Sequence, residues 1–256
     1  MGVLNITPDS FFDGGKYNSD KALLSKAEDH LKNGAKLLDI GAYSSRPGAD
    51  FISEEQELSR LIPAINTVTK HFPDALLSID TFRSEIARKA MDVGAFMIND
   101  ISGGNLDVNM FNFIGKKNIP YVLMHMRGTP KTMQSLTNYN DITLDIVNEL
   151  QSKIDVLDQL GAKQLIIDPG FGFAKTLDQN YELLKNIKKI DQFGYPLLVG
   201  VSRKSMIYKK LGINPSEALN GTTVLNTIAL TSGAKILRVH DSLEAQQTID
   251  LLNSLK

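Results

Sequence analysis

The segment LGAKQLIID at residues 160–168 joins a Gly-Ala pair to an apolar run that ends in an aspartate. Three further segments also join a Gly-Ala pair to an apolar run: NGAKLLDIG at 33–41, VGAFMINDI at 93–101 and SGAKILRVH at 232–240. Glycine is preferred in the left-handed turn that ends a helix, and a short continuous apolar run is typical of a strand covered on both faces. The pattern therefore predicts parallel strands that alternate with helices. Internal duplication and a general preference for glycine in such loops explain the repeat equally well.

Eight apolar runs along the chain predict strands. They lie at residues 3–6, 36–40, 75–80, 95–99, 120–125, 163–168, 196–201 and 234–240. A parallel crossover through a helix needs at least ~10–12 residues, and every interval is long enough for one. We predict an α/β fold, a single (β/α)8 TIM barrel that occupies residues 1–256, since eight such units are typical of that fold. A doubly wound open sheet is the alternative, but the glycine fingerprint it usually carries after its first strand is missing here.

The intervals between the strands predict amphipathic helices. In the second interval, Ser53 and Gln56 have the spacing of a capping box, and apolar residues at 58, 61, 62 and 65 fall on one helical face. His30 and His71 lie in helical intervals, and we expect both at the surface. Residues 7–17 and 42–51, rich in Gly, Pro, Asp and Ser, predict either loops that close over a ligand or solvent-facing turns.

The composition excludes several classes of protein. The chain has 256 residues, a formal net charge of −1 and no cysteine, which excludes disulfide frameworks, thiol catalysis and cysteine-bound metals. Near-neutral charge without a basic run argues against nucleic acid as a partner. No apolar stretch reaches the ~18 residues of a membrane span, and the first residues lack the pattern of a signal peptide. We expect a cytoplasmic enzyme that acts on small molecules.

A polar residue stands at the end of every predicted strand, where the active site of a TIM barrel lies. These residues are Asn5, Asp39, Asp80, Asn99 with Asp100, His125, Asp168, Ser202 and His240. Asp80, Asn99 and Asp168 are a group of acceptors. They suit a general acid/base pair, ligands of a hard metal ion, or acceptors for a heterocycle rich in N–H donors, and their spacing does not choose among these. For Asp80 a helix cap is a further alternative.

Cationic residues follow several of the same strands. They are Arg46, Arg127, Arg203, Lys204 and Arg238. Arg238 and His240 are two apart on one strand and project to the same side, and an arginine that faces a barrel interior needs an anion. The loops after strands seven and eight commonly bind phosphate in barrels of this kind. This spacing predicts a phosphorylated or pyrophosphorylated substrate.

Eight motifs in this order resemble the dihydropteroate synthase family of pterin-binding barrels. They are MGVLNITPDSFFDGG (1–15), SSRPGA (44–49), SIDT (78–81), INDISGG (98–104), LMHMRGTPKTMQ (123–134), LIIDPGFGFAK (165–175), LLVGVSRKSMI (197–207) and ILRVHD (236–241). The resemblance covers essentially the full length. It implies the condensation of 6-hydroxymethyl-7,8-dihydropterin pyrophosphate with p-aminobenzoate, which yields 7,8-dihydropteroate and pyrophosphate with the help of Mg²⁺.

The resemblance also implies roles for individual residues. It places the pterin pyrophosphate on Ser45, Asp80, Asn99, Asp168, Lys204, Arg238 and His240. It places p-aminobenzoate on Ser45, Arg46, Pro47, Phe173, Ser202 and Lys204, and Mg²⁺ at Asn5. The catalytic residues it implies are Asp80, Lys204, Arg238 and His240. A homodimer and a sulfonamide target are implied as well. Many members have a threonine and a glutamate where this chain has Ser45 and Tyr43.

Two other functions fit parts of the sequence. One is a pterin-binding barrel that transfers a methyl group from methyltetrahydrofolate to a corrinoid protein. Such an enzyme keeps the acidic pocket for the pterin but needs no cationic residues to bind a pyrophosphate. Residues 202–204 and 238–240 therefore favour the synthase. The other is a non-catalytic pterin-binding module. Such a module is expected to lack residues of the loops or of the cationic anion site, and this chain has both.

Overall fold

In the computed structural model of the chain, residues 1–6, 16–43 and 52–255 are described. Strands and helices alternate along this part of the chain, except that two helices lie between the last two strands. The strands are β1 (Gly2–Asn5), β2 (Leu37–Gly41), β3 (Leu76–Asp80), β4 (Met97–Asp100), β5 (Tyr121–Met124), β6 (Leu165–Asp168), β7 (Leu198–Val199) and β8 (Ile236–Leu237). The helices are α1 (Lys16–Lys32), α2 (Glu54–His71), α3 (Ser84–Asp92), α4 (Met110–Lys117), α5 (Ile142–Gln159), α6 (Leu177–Lys185), α7 (Ser205–Leu211), α8 (Leu219–Thr231) and α9 (Ser242–Asn253).

The strands close into a barrel. Strands β1 to β6 pair in parallel in chain order, and β7 pairs in parallel with β8. Two single parallel bridges join the sheets, Ile167 with Leu197 and Gly2 with Val239. The backbone N–H of Val3 donates to the carbonyl of Val239 at 3.0 Å, which closes the ring between β8 and β1. The predicted (β/α)8 barrel is confirmed, although β7 and β8 are shorter than predicted because only two residues of each pair in register.

The Gly-Ala pairs end the helices as predicted. The glycines have φ values of 89° (Gly34), 106° (Gly94), 92° (Gly161) and 114° (Gly233). The alanine that follows each one donates its N–H to the carbonyl five residues earlier, for example from Ala162 to Leu157 at 2.9 Å. This bond is characteristic of the Schellman motif. The predicted capping box is also present at the start of α2, where Ser53 and Gln56 bond reciprocally.

The barrel interior is apolar at one end and polar at the other. Its amino end holds a group that we call the apolar plug: Met97, Val122 and Leu198, with partly buried Met1, Leu37, Ile166 and Ile236 packed against them. Successive side chains of a strand point to opposite faces, so residues two positions further along face the same interior. On β2 and β4 these are Asp39 and Asn99, and directly after β8 it is Arg238. The strand pattern therefore brings polar side chains together at the carboxyl end.

The predicted surface position of His30 is wrong, whereas His71 is exposed. His30 is 1% exposed, with Nδ1 2.6 Å from Ser242 Oγ and Nε2 3.2 Å from the carbonyl of Val3. It fastens α1 to β1 and α9, which a histidine in a helical pattern does not reveal. Among the described residues no helix has the length and apolarity that a membrane crossing requires.

Candidate active site

A buried carboxylate, Asp39 on β2, lies at the centre of the polar end of the barrel. It is 0% exposed and accepts three hydrogen bonds, from Ser78 Oγ at 2.6 Å, Asn99 Nδ2 at 3.0 Å and Arg238 Nε at 2.6 Å. A buried charge is tolerated only when it is paired and hydrogen-bonded, and this one is both. The sequence marks Asp39 as a strand-end residue and assigns it no role. Its inward alignment with Asn99 and Arg238 is the signal that reveals one.

Arg238 joins the two groups of residues that the sequence treats separately. Its Nη2 donates to Asp80 Oδ2 at 2.8 Å while its Nε is held by Asp39. The cation therefore lies within the acidic pocket. Burial raises the pKa of the Asp80 carboxyl to about 7, although the Arg238 guanidinium opposes the shift.

Asp80 does not cap a helix. Helix α3 begins at Ser84, where Arg83 is the N-cap and makes no side-chain cap bond. The N–H of Ser84 donates to Asp107 Oδ2 at 2.7 Å instead. The helix-cap alternative is therefore excluded, and the Asp80 carboxylate belongs to the barrel mouth.

Asn99 and Asp168 supply further acceptors. Because Asn99 donates from Nδ2 to a carboxylate, which cannot donate in return, its amide orientation is fixed and Oδ1 is left as an acceptor. Asp168 is 6% exposed, and its Oδ1 accepts from the N–H of Gly170 at 2.7 Å. Burial raises the pKa of Asp168, although Lys204 opposes the shift. Three acceptors thus come from β3, β4 and β6.

Lys204 lies between Asp168 and the loop after β6. Its Nζ donates to the carbonyl of Phe171 and lies 4.7 Å from the ring centroid of Phe173. Burial lowers the pKa of Lys204 to about 8, while Asp168 opposes this. Lys204 and Phe173, which the resemblance assigns to the same substrate, are in contact.

Ser202 and His240 form a second contact pair at the mouth. Ser202 Oγ lies 3.1 Å from His240 Nδ1 and accepts from the backbone N–H of His240 at 3.1 Å. Burial lowers the pKa of His240 to about 4, so its imidazole is neutral at pH 7. His240 therefore offers an N–H donor to an anion and not a full positive charge.

Two arginines that follow strand ends, Arg203 and Arg127, pair with carboxylates outside the barrel interior. Arg203 forms a bidentate pair with Asp241, with N···O distances of 2.8 and 2.7 Å. Arg127 pairs with Glu149 and lies 3.8 Å from the ring centroid of Tyr139. Both guanidinium groups are thus paired with carboxylates outside the barrel interior, Arg203 with Asp241 and Arg127 with Glu149.

Two strand-end residues also point outward. Asp100 directly follows inward-facing Asn99 and accepts from the Tyr121 hydroxyl at 2.7 Å. His125 lies with Nε2 3.0 Å from Glu149 Oε2 on α5. Not every polar strand end therefore belongs to the site, and the alternation along each strand decides which ones do.

Asn5 is the last residue of β1, and it pairs in register with Gly41, the last residue of β2. A Cβ added at Gly41 would lie 3.2 Å from Asp80 Cβ, so this level adjoins the acidic pocket. Among the described residues, no three His, Cys, Asp or Glu side chains are grouped so that they could hold a metal ion. Ser45, Arg46 and Pro47 lie outside the described residues, as do residues 7–15 and 44–51 of the two predicted loops.

Comparison with known proteins agrees with this geometry. The profile of the family described as Pterin binding enzyme matches residues 1–240. The dihydropteroate synthase of Synechocystis sp. is 43% identical over 94% of this chain and 84% of its own. The Yersinia pestis dihydropteroate synthase, solved as a sulfonamide drug complex, superposes with a TM-score of 0.92 at 39% identity, covering 99% of this chain and 92% of that one. The Xanthomonas albilineans enzyme with 4-aminobenzoic acid gives 0.92 at 34% identity, covering 99% and 91%.

These likenesses define the class of the protein as a pterin-binding (β/α)8 barrel. The chain belongs to the pterin-binding enzyme family, and the relatives named above are all dihydropteroate synthases. The corrinoid methyltransferase alternative is not favoured.

Proposed function

We propose that the barrel condenses 6-hydroxymethyl-7,8-dihydropterin pyrophosphate with p-aminobenzoate to form 7,8-dihydropteroate and pyrophosphate. The proposal rests on the direct contact, at the carboxyl end of the barrel, between acidic acceptor side chains and a cationic donor side chain. Arg238 bonds both Asp39 and Asp80, so the pocket for a donor-rich ring adjoins the site for an anion. A pterin that bears a pyrophosphate has both features.

The pterin ring is assigned to Asp80, Asn99 and Asp168. Their oxygens are acceptors, and the ring edge offers N–H donors. Because Asp39 holds the Asn99 amide in one orientation, the pocket is arranged for donors before the substrate arrives. Such preorganisation lowers the cost of binding.

The reaction breaks the C–O bond between the pterin methylene and the pyrophosphate, whose oxygen leaves with the electron pair. The amine nitrogen of p-aminobenzoate forms the new C–N bond with its lone pair and loses a proton to solvent. Positive charge that develops on the pterin is stabilised by Asp80 and Asp168, and negative charge on the leaving group by Arg238, His240 and Lys204. The arylamine is neutral at pH 7, so no strong general base is required.

The p-aminobenzoate side is assigned to Phe173, Ser202 and Lys204, together with residues 45–47. Lys204 is cationic and lies against the Phe173 ring, an arrangement that suits an aromatic carboxylate. We extend the proposal to sulfonamides, since the Yersinia relative is a sulfonamide complex. Competition between a sulfonamide and p-aminobenzoate in steady-state kinetics tests this assignment.

Mg²⁺ is proposed to be held by Asn5 together with the substrate pyrophosphate. Mg²⁺ commonly takes one or two protein oxygens and completes its shell with phosphates and water, which fits a single amide oxygen at the mouth. When bound, the ion neutralises charge on the leaving group.

We further propose that the protein forms a homodimer and that it lies in the cytoplasm. Val224 and Ile228 lie one turn apart on α8 and are 49% and 40% exposed, and nearby Leu211 is 57% exposed. Apolar side chains on one helix face suit contact with a second copy. Light scattering of the purified protein tests the dimer.

The cytoplasm is proposed because a charged pyrophosphate ester does not cross a bilayer unaided.

The function is tested by turnover. The protein is incubated with dihydropterin pyrophosphate, p-aminobenzoate and Mg²⁺, and dihydropteroate and pyrophosphate are both quantified. Equal amounts of the two products are expected. Tight binding of the pterin without dihydropteroate would refute the enzyme assignment.

A further inference from the structure

The loop between β6 and α6, residues 169–176, has a backbone that needs support. Gly170 and Gly172 have φ values of 72° and 82°, and Ala174 has 49°, a left-handed conformation that is unfavourable for alanine. The same loop carries Phe173 and the carbonyl of Phe171 that accepts from Lys204. Its conformation therefore fixes one wall of the site.

A second lysine, Lys175, holds this loop from behind. It is 4% exposed, and its Nζ donates to the carbonyls of Gly170 and Phe173, each at 2.8 Å. The third contact is His125 Nδ1 at 3.2 Å. An ammonium has three N–H donors, and all three are used here.

The third contact connects Lys175 to a carboxylate. To accept at Nδ1, the neutral His125 imidazole carries its proton on Nε2, which lies 3.0 Å from Glu149 Oε2. Burial lowers the pKa of His125 to about 4, which keeps the ring neutral. Although burial opposes it, hydrogen bonds from His125 and Arg127 lower the pKa of Glu149 to about 2. Burial lowers the pKa of Lys175 to about 7, and the negative charges of Asp168 and of Glu149, which lies beyond the neutral His125 ring, oppose that shift.

We propose that Lys175 is a positioning residue for the arylamine, held by His125 and Glu149, that fixes the 169–176 loop and with it Phe173. Lys175 touches no reacting atom. It holds the loop from the helix side while Lys204 holds it from the mouth. The proposal rests on the proposed function for its choice of substrate, whereas its structural half stands on the loop alone.

Lys175→Met tests the proposal, since it keeps the length of the side chain and removes the three donors. The KM for p-aminobenzoate is expected to rise about tenfold, as small displacements of binding groups have effects of this order or more. The KM for the dihydropterin pyrophosphate is expected to rise by less than about threefold, because Asp80 and Asn99 lie on other strands and only Asp168, which accepts from the N–H of Gly170, adjoins the loop. A general loss of folding raises neither KM selectively.

The matched control is Lys89→Met on α3, a half-buried lysine whose Nζ lies 3.5 Å from Glu85 Oε1 and which donates no hydrogen bond to residues 169–176 in the described part of the chain. Both KM values should stay at the wild-type level in this variant. His125→Phe is the second test variant, in case Lys175→Met does not fold, and it should shift the same KM in the same direction.

Amide hydrogen exchange separates this proposal from the proposed function. The N–H of Phe173 donates to the carbonyl of Gly170 at 3.1 Å, and its exchange should accelerate about tenfold in Lys175→Met. Unchanged exchange, or equal increases in both KM values, would overturn the positioning role. A wild-type protein that forms no dihydropteroate would refute the function, while the exchange result would still test the support of the loop.

Discussion

The two ends of the barrel interior are built from the same strands but differ in chemistry. At the amino end, Met97, Val122 and Leu198 pack with apolar neighbours. Two residues beyond Leu37 and Ile236 of the apolar plug, Asp39 and Arg238 form an ion pair at 2.6 Å. One end follows the ordinary rule for a protein core, and the other places charges where a core residue would be expected.

The difference shows which end is built for stability and which for function. A buried ion pair often contributes no more to stability than apolar residues of the same volume, because both charges lose their hydration. Charges at the carboxyl end are therefore explained by a ligand that needs them. Variants at the two ends should accordingly differ in what they change.

Asp39→Asn should have the largest effect. It removes the negative charge opposite Arg238, which keeps Asp80 as its remaining carboxylate partner in the network, and it leaves one amide oxygen where two carboxylate oxygens accepted from Ser78, Asn99 and Arg238. Removal of one member of a buried pair costs about 4 kcal/mol of the free energy of unfolding. Denaturant unfolding and pterin titration measure the two consequences. A variant that retains wild-type pterin affinity would contradict the role given to Asp39.

Leu198→Ala should affect stability alone. Leu198 is 0% exposed in the apolar plug, and its truncation is expected to lower the free energy of unfolding by about 3 kcal/mol. Both KM values should remain unchanged at a temperature where the variant is folded. A selective change in one KM would show that the two ends are not separate in function.

The pH dependence of pterin binding should follow Asp80. Its pKa of about 7 means that the carboxylate is progressively protonated as the pH falls through 7, and a protonated carboxyl is a poorer acceptor for a ring N–H. Affinity should therefore be constant above pH 8 and fall towards tenfold per pH unit below 6. Calorimetric titration across this range measures it. Asp80→Asn should abolish the pH dependence, and an unchanged slope in that variant would assign the titration to another group.

Ser78→Ala should have the smallest effect. It removes one neutral donor from Asp39 and leaves Asn99 and Arg238 in place. Loss of one such hydrogen bond costs about 1 kcal/mol of the free energy of unfolding. Pterin affinity should fall by less than about threefold, and a loss as large as that of Asp39→Asn would show that charge is not what matters at this position.

Much of this architecture can be predicted from the sequence, because strand and helix ends depend on local features. The Gly-Ala pairs set the helix ends through backbone conformation, and Ser53 caps α2 through contacts within one turn. The extent of β7 and β8 depends on neighbouring strands that are distant in the chain. Sequence alone therefore predicts them too long.

The site is predictable where one strand decides the direction of a side chain. Arg238 and His240 share a side because they are two residues apart, and Asp100 turns away from Asn99 because they are adjacent. The partners of Arg127 and Arg203 could not be foreseen, because Glu149 and Asp241 meet them only after α5 and α9 pack. The same holds for Asp39, whose three donors come from three other strands.

The most direct test of the account is the ligand affinity of the Arg238→Ala variant. It shows whether the carboxyl end of the barrel binds the heterocycle and the anion with different residues. Calorimetry compares dihydropterin pyrophosphate with the same pterin lacking the pyrophosphate, for the wild type and the variant. The affinity for the pyrophosphate ester should fall about 100-fold and that for the pterin alone about tenfold, because the variant also loses the contacts of Arg238 with Asp39 and Asp80. Equal losses for the two ligands would contradict the account.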